Sequence, residues 1–153
     1  MGVKMIKTNF DLCTGCQICQ IECSMWLFGG YNPHRSALNI KNLSENLYHL
    51  PTVCNHCENT YCAKVCPAKA IVRNQNTGAI IIDQEKCVGC KKAICTKYCP
   101  IGVIHIDPER KTAYKCDLCN GSPRCVSSCP TGALELVVNA DAVISTNQEN
   151  ADA

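Results

Sequence analysis

Apolar residues along this chain come in short bursts, and no long periodic stretch joins them. Ala70-Ile-Val-Arg73 and Ala79-Ile-Ile-Ile-Asp83 flank Asn74-Gln-Asn-Thr-Gly78, a strand–turn–strand pattern with a glycine available for positive φ. Val103-Ile-His-Ile106 and Lys111-Thr-Ala-Tyr114 flank Asp107-Pro-Glu-Arg110, a type I turn signature. Residues 24–53 read as a loop entering a strand at Ile40, with Leu47-Tyr-His-Leu50 returning as its partner. The segments between these hairpins have room for one short helical turn each. Three of them close on Pro67, Pro100 or Pro130, and proline disfavours helix at the residue before it. The pattern predicts an α+β fold in which short helices alternate with two-stranded hairpins. From 139 to 153 the chain is polar and non-periodic, which predicts a tail that is disordered or orders only on a partner.

Composition then changes the picture. A chain of 153 residues makes one domain or two small ones. It has only one tryptophan, two phenylalanines and five tyrosines, so a conventional apolar core is thin for this length. Against that stand sixteen cysteines, far above ordinary usage. Bound metal can supply the missing cohesion, because its binding free energy becomes folding free energy.

A disulfide framework is the plain alternative, and it needs an oxidising compartment. The opening Met1-Gly-Val-Lys-Met-Ile-Lys-Thr-Asn-Phe10 has no apolar h-region, cleavage signature or twin arginine. The longest apolar runs, such as Ala79-Ile-Ile-Ile82, are too short to span a bilayer. The expectation is a cytoplasmic protein without membrane insertion, its thiols reduced and free to bind metal. Export alongside a partner that carries a signal is the other route.

The cysteines fall into four runs. The first is Cys13-Thr-Gly-Cys16-Gln-Ile-Cys19-Gln-Ile-Glu-Cys23, with Ser24 where a proline is usual. The second is Cys54-Asn-His-Cys57-Glu-Asn-Thr-Tyr-Cys62-Ala-Lys-Val-Cys66-Pro67. The third is Cys87-Val-Gly-Cys90-Lys-Lys-Ala-Ile-Cys95-Thr-Lys-Tyr-Cys99-Pro100. The fourth is Cys116-Asp-Leu-Cys119-Asn-Gly-Ser-Pro-Arg-Cys125-Val-Ser-Ser-Cys129-Pro130. No cysteine is left over. Two cysteines three apart form a tight loop whose amides can point at cluster sulfides. Gly15 and Gly89 let two of those loops approach closely.

Soft thiolates at this spacing suit zinc or iron–sulfur chemistry. Zinc ribbons separate two C-x2-C knuckles by a dozen or more residues. Here each knuckle is followed within a few residues by two more cysteines and usually a proline, which is the iron–sulfur pattern. A structural zinc protein is the remote alternative. His56, inside the second run, replaces no missing thiol, so it either bonds a cluster sulfur or faces solvent. His34, His49 and His105 carry no recognisable context.

The formal charge of +2 would become about −6 with four cubanes, each bringing roughly −2. Lys86, Lys91, Lys92 and Lys97 then read as compensation for cluster charge, and nucleic-acid binding is the weaker reading. The chain has no Ser/His/Asp arrangement, paired-carboxylate site or phosphate loop, so by itself it is not expected to be an enzyme.

The four runs, their Cys-Pro endings and Lys115-Cys-Asp-Leu-Cys119 together resemble the four-cluster ferredoxin-type subunits of molybdenum and tungsten oxidoreductases. That resemblance implies four [4Fe-4S] clusters in two nested dicluster modules, forming a wire. The inner module would be 54–109, the outer 1–53 with 110–138, and 139–153 the tail. Ligation would cross between runs: Cys54, Cys57 and Cys62 with Cys99, and Cys87, Cys90 and Cys95 with Cys66. In the outer module Cys13, Cys16 and Cys19 would join Cys129, and Cys116, Cys119 and Cys125 would join Cys23. The segment Gly29-Gly-Tyr-Asn-Pro-His-Arg-Ser-Ala-Leu-Asn-Ile40 resembles the small subunits found with tungsten-dependent aldehyde:ferredoxin oxidoreductases. The implied partners are a large catalytic subunit with pterin-bound tungsten or molybdenum, and a second redox partner such as ferredoxin or a flavin subunit. Trp26, Phe28 and Tyr31 would form a docking surface or, on the plainer reading, cover neighbouring clusters. A subunit of a hydrogenase, formate dehydrogenase or carbon monoxide dehydrogenase complex is the alternative, as is a free polyferredoxin.

Overall fold

The computed structural model describes residues 3–45, 47–90 and 92–139. Among these residues, eight strands and four helices follow one another in an order that mirrors the four cysteine runs. Strand β1 (Val3–Thr8) leads to α1 (Ile18–Phe28), a 3-10 turn (Pro33–Arg35), β2 (Asn39–Leu43) and β3 (Tyr48–Thr52). Helix α2 (Tyr61–Lys64), β4 (Ile71–Arg73), β5 (Ile80–Ile82) and α3 (Ile94–Tyr98) make up the middle of the chain. Then come β6 (His105–Ile106), β7 (Ala113–Tyr114), a second 3-10 turn (Leu118–Gly121), α4 (Arg124–Ser128) and β8 (Leu134–Asn139).

The strands form four separate antiparallel pairs. Three are the local hairpins: β2 with β3 (Ile40 opposite Pro51), β4 with β5 (Ile71 opposite Ile82) and β6 with β7 (His105 opposite Tyr114). The β6–β7 turn is pinned by Asp107, whose carboxylate accepts the Glu109 N–H at 2.9 Å. The fourth pair was not visible in the hydrophobic pattern. Strand β1 lies along β8, with Val3 opposite Asn139 and Thr8 opposite Leu134, so the two ends of the described chain meet. Asn139 therefore belongs to a strand and not to the tail. The rest of that tail, and Lys91, lie outside the described residues.

Proline placement explains where the helices stop. Cys99 and Cys129, each followed by proline, leave the helical region with ψ near 114°. Where Ser24 replaces proline the helix does not stop. Instead of one short turn, α1 runs eleven residues, past Cys23 to Phe28, and ends at Gly29 in the left-handed conformation (φ 69°). Ser24 is fully buried, and its hydroxyl lies 2.9 Å from the Ile21 carbonyl and 2.8 Å from that of Gly30. That serine ties the continued helix to the loop beyond it.

The apolar interior is small and built around thiols. One cluster joins Ile6, Leu38, Val53, Val103, Leu118 and Leu134 to Cys19, Cys23, Cys54, Cys116 and Cys125. A second joins Ile71, Ile80, Ile104 and Ala113 to Cys95. Helix α1 packs on α4, and α2 on α3. The first run is thereby laid against the fourth, and the second against the third.

Candidate functional site

All four C-x2-C loops share one backbone feature. The residue just before the second cysteine has positive φ every time: Gly15 (71°), His56 (49°), Gly89 (57°) and Leu118 (59°). Glycine takes this conformation freely, whereas histidine and leucine are held in it by what surrounds them. The two glycines also meet the rest of the chain closely. A methyl group at Gly15 would strike the His49 ring at 2.7 Å, and one at Gly89 would collide with the Lys111 carbonyl oxygen.

The loops and the short helices after them arrange the thiols around voids. One void is lined by Cys54, Cys57, Cys62 and Cys99, with Ile80 and Lys115 on its wall. A second is lined by Cys87, Cys90, Cys95 and Cys66, beside Ile71 and Ile82. A third is lined by Cys13, Cys16, Cys19 and Cys129, beside Ile40 and Leu134. Each takes three cysteines from one run and the fourth from another. The remaining four, Cys23, Cys116, Cys119 and Cys125, gather where α1 meets α4. Burial, followed by the negative charge of Cys23, Cys119 and Cys19, pushes the Cys125 thiol up to about 12. Cys119 is pushed up to about 11, chiefly by burial, with Asp117 and Cys23 adding to it. Cys19, in the third void, reaches about 12 through burial and then Cys16, Cys13 and Cys129. Among the described residues no group of three or more His, Cys, Asp or Glu side chains converges closely enough to hold a single metal ion.

Backbone amides point at these sulfurs. The N–H groups of Ala37, His56 and Ala70 reach the sulfurs of Cys23, Cys54 and Cys66 at 3.4 Å, and that of Ala113 reaches Cys87 at 3.3 Å. At Cys129 burial works upward, but the Thr131, Ala133 and Leu134 amides and the Thr131 hydroxyl outweigh it, and the thiol is lowered. Four thiols around an apolar void, with amide donors aimed at the sulfurs, fit an iron–sulfur cubane.

The structure decides between the readings left open for several side chains outside the cysteines. His56 does not face solvent. It is fully buried, its Nδ1 accepts the Ile80 N–H at 2.9 Å, and burial together with the Lys115 and Arg73 charges lowers it to about 2. The ring is therefore neutral and its proton sits on Nε2. Lys86 pairs with Asp83 at 3.1 Å, while Lys92 and Lys97 are exposed. Among the described residues the buried cation is Lys115, only 4% exposed, which composition and spacing did not single out. Trp26 and Phe28 serve the fold. The Trp26 indole donates to Asp117 and lies under the Arg124 guanidinium, and Phe28 meets Tyr114 edge-on with ring centroids 5.0 Å apart. Of the three aromatics only Tyr31 stands free, at 74% exposure.

Comparison with known proteins decides the family. The 4Fe-4S dicluster domain matches residues 45–139, and the 4Fe-4S binding domain matches residues 10–26. The chain belongs to the 4Fe-4S dicluster family. It is an iron–sulfur protein of ferredoxin type, and several of its relatives are named as subunits of oxidoreductases. It is 33% identical over 119 residues to the polyferredoxin-like subunit of aliphatic sulfonate oxidoreductase from Pyrococcus furiosus, covering 78% of this chain and 67% of that one. It is 35% identical over 136 residues to the thiosulfate reductase electron transfer subunit PhsB of Salmonella typhi, covering 80% and 69%. Among solved structures, the active site complex BamBC of benzoyl coenzyme A reductase with benzoyl-CoA contains a chain similar to this dicluster protein. That chain matches with a TM-score of 0.52 at 23% identity, over 90% of this chain and 80% of its own, a likeness of fold alone. Among the described residues no helix is long and apolar enough to cross a membrane.

Proposed function

We propose that this chain is the electron-transfer subunit of an oxidoreductase complex, holding four [4Fe-4S] clusters between a catalytic subunit and a second redox partner. The observation that carries the reading is the crossed lining of the voids, where a run's last cysteine stands with three cysteines of another run. The ligand sets are Cys13, Cys16, Cys19 with Cys129; Cys116, Cys119, Cys125 with Cys23; Cys54, Cys57, Cys62 with Cys99; and Cys87, Cys90, Cys95 with Cys66. The packing of α1 on α4 and α2 on α3 supports an outer module nested around an inner one. When bound, the clusters supply one-electron transfer. The chain's own part is to hold the thiols around dry voids, donate amide N–H groups to their sulfurs and exclude water with Ile71, Ile80, Val103 and Leu134.

The catalytic partner proposed is a large subunit with pterin-bound tungsten or molybdenum. Aldehyde oxidation is the first reading of its substrate, from the segment 29–40. The names of the Pyrococcus and Salmonella relatives give a second, a sulfonate or thiosulfate. Anaerobic native purification followed by metal analysis tests both levels. Sixteen thiols taken four at a time require about sixteen iron and sixteen sulfide per chain. Zinc, or half that iron after reconstitution, overturns the four-cluster reading. A co-eluting tungsten or molybdenum subunit with aldehyde-dependent dye reduction supports the first substrate, and thiosulfate- or sulfonate-dependent turnover supports the second. A nickel-containing partner moves the chain to a hydrogenase or carbon monoxide dehydrogenase complex.

A further inference from the structure

Lys115 occupies the junction between two thiol sets. Its ammonium donates to the Cys54 sulfur at 3.5 Å, to the Cys116 carbonyl at 2.8 Å and to the Ile80 carbonyl. An ammonium has three N–H donors, and here all three are used. The charge is therefore fixed in position, on the wall of the void lined by Cys54, Cys57, Cys62 and Cys99.

A buried ammonium is strongly unfavourable without a negative partner. Among the described residues the ion pairs are Arg35 with Asp107 and Glu109, Lys86 with Asp83, and Arg110 with Asp107, and none involves Lys115. On the four-cluster reading, the negative charge facing Lys115 is that of the thiolates holding the cluster at Cys54, Cys57, Cys62 and Cys99. Among the described residues the sulfurs of Cys23, Cys66 and Cys87, which belong to other sets, receive only neutral backbone N–H donors. Two residues along from Lys115 the sign reverses, because the Asp117 carboxylate accepts the Cys119 N–H at 2.8 Å.

We propose that Lys115 is a positioning residue for electron transfer, a fixed cation that sets the reduction potential of the cluster held by Cys54, Cys57, Cys62 and Cys99 above that of the adjoining set at Cys116. The inference rests on the four-cluster reading. Reduction adds negative charge at the thiolate set. A cation within hydrogen-bond reach of one of its sulfurs favours the reduced form over the oxidised one. The Asp117 carboxylate acts the opposite way on its own set. Lys115 and Asp117, either side of Cys116, thus build a potential step into the junction between the two modules.

The test uses the full chain, reconstituted anaerobically, with iron and sulfide measured first. In an EPR-monitored redox titration, Lys115→Met should lower most the midpoint potential of the cluster at Cys54, Cys57, Cys62 and Cys99, lower less that of the set at Cys116, and leave the other two in place. The shift expected is roughly tenfold in the reduced-to-oxidised ratio, ~59 mV for one electron. Lys115→Arg should restore most of it, and Cys99→Ser should perturb the same signal. Four unchanged midpoints in an iron-replete Lys115→Met protein overturn the proposal. Should that variant lose iron, the wild type decides. Protein labelled with 15N-lysine and reduced must show a nitrogen hyperfine coupling to one cluster, and its absence overturns the proposal equally. Failure of the four-cluster reading is separable, because it appears as low iron in the wild type.

Discussion

Arg35 and Asp107, far apart in sequence, meet in a two-pronged ion pair, with the Arg35 Nη2 3.0 Å from both carboxylate oxygens. Asp107 is almost fully buried, while Arg35 keeps 23% exposure, reaches Glu109 and lies 4.2 Å over the Phe28 ring. The pair fastens the loop after α1 to the β6–β7 turn. Burial pushes the Asp107 carboxyl up, but the Glu109 and Arg110 amides and the Arg35 guanidinium outweigh it, and the net shift is downward.

Removing the arginine leaves that carboxylate buried with amides and a distant Arg110 alone. Arg35→Ala should cost about 3 kcal/mol, read as an earlier temperature of anaerobic bleaching. Because the folded carboxyl lies below its ordinary value of 3.8, its contribution is complete above that value and is lost as pH falls through the lowered one. The gap between variant and wild type should therefore be constant from about pH 8 to 5 and narrow only in stronger acid. A gap that widens on acidification would refute this account.

Trp26 is expected to matter for the fold and not for docking. Trp26→Phe keeps most of the ring area but removes the N–H that reaches Asp117 at 3.0 Å. The loss should be about 1.5–3 kcal/mol, the usual worth of a hydrogen bond to a charged group. Asp117→Asn in the Trp26→Phe background should then add less than it does in the wild type, as a double-mutant cycle would measure. Full additivity would disconnect the two residues.

Ser24 offers a test in which the family's usual residue should be harmful. Three runs have proline after the last cysteine, yet Ser24→Pro places one inside an eleven-residue helix. The missing N–H and the ring's clash with the preceding turn should cost about 3 kcal/mol or more. The variant should lose the buried hydroxyl contacts and bind less iron. Normal iron content and stability would mean that α1 ends at Cys23.

Cys99→Ala tests the crossed lining directly. It should remove one ligand from the set at Cys54, Cys57 and Cys62 and spare the set at Cys87, Cys90 and Cys95. Lower yield is expected as well, since bound clusters contribute to folding. A spectroscopic change confined to the latter set would reverse the assignment.

What the sequence revealed depended on the distance over which each feature is determined. The three hairpins were legible because apolar runs and turn residues sit within about a dozen positions of each other. The sixteen thiols were legible because their spacing is a local property. The β1–β8 pair was not, since neither Val3–Thr8 nor Leu134–Asn139 shows where its partner lies. Ser24 was noticed as a departure, but its consequence for the length of α1 follows only from what packs around it. His56 and Lys115 were both noted, but their burial was missed for a related reason. A lysine or histidine reads as exposed in sequence, and only the surrounding Cys54, Ile80 and Arg73 make these two buried.

The meeting of β1 with β8 also sets a schedule for synthesis. Strand β1 leaves the ribosome before its partner, which follows roughly 130 residues later, on the order of ten seconds at ordinary translation rates. During that wait Val3–Thr8 is an unpaired edge, and Ile6, destined to be almost fully buried, has nothing to cover it. Slow decoding or a stalled ribosome between Thr8 and Leu134 would prolong that exposure. The nascent chain is therefore most prone to stick to its neighbours before β8 emerges, and a chaperone acting in that interval has its clearest target in Val3–Thr8.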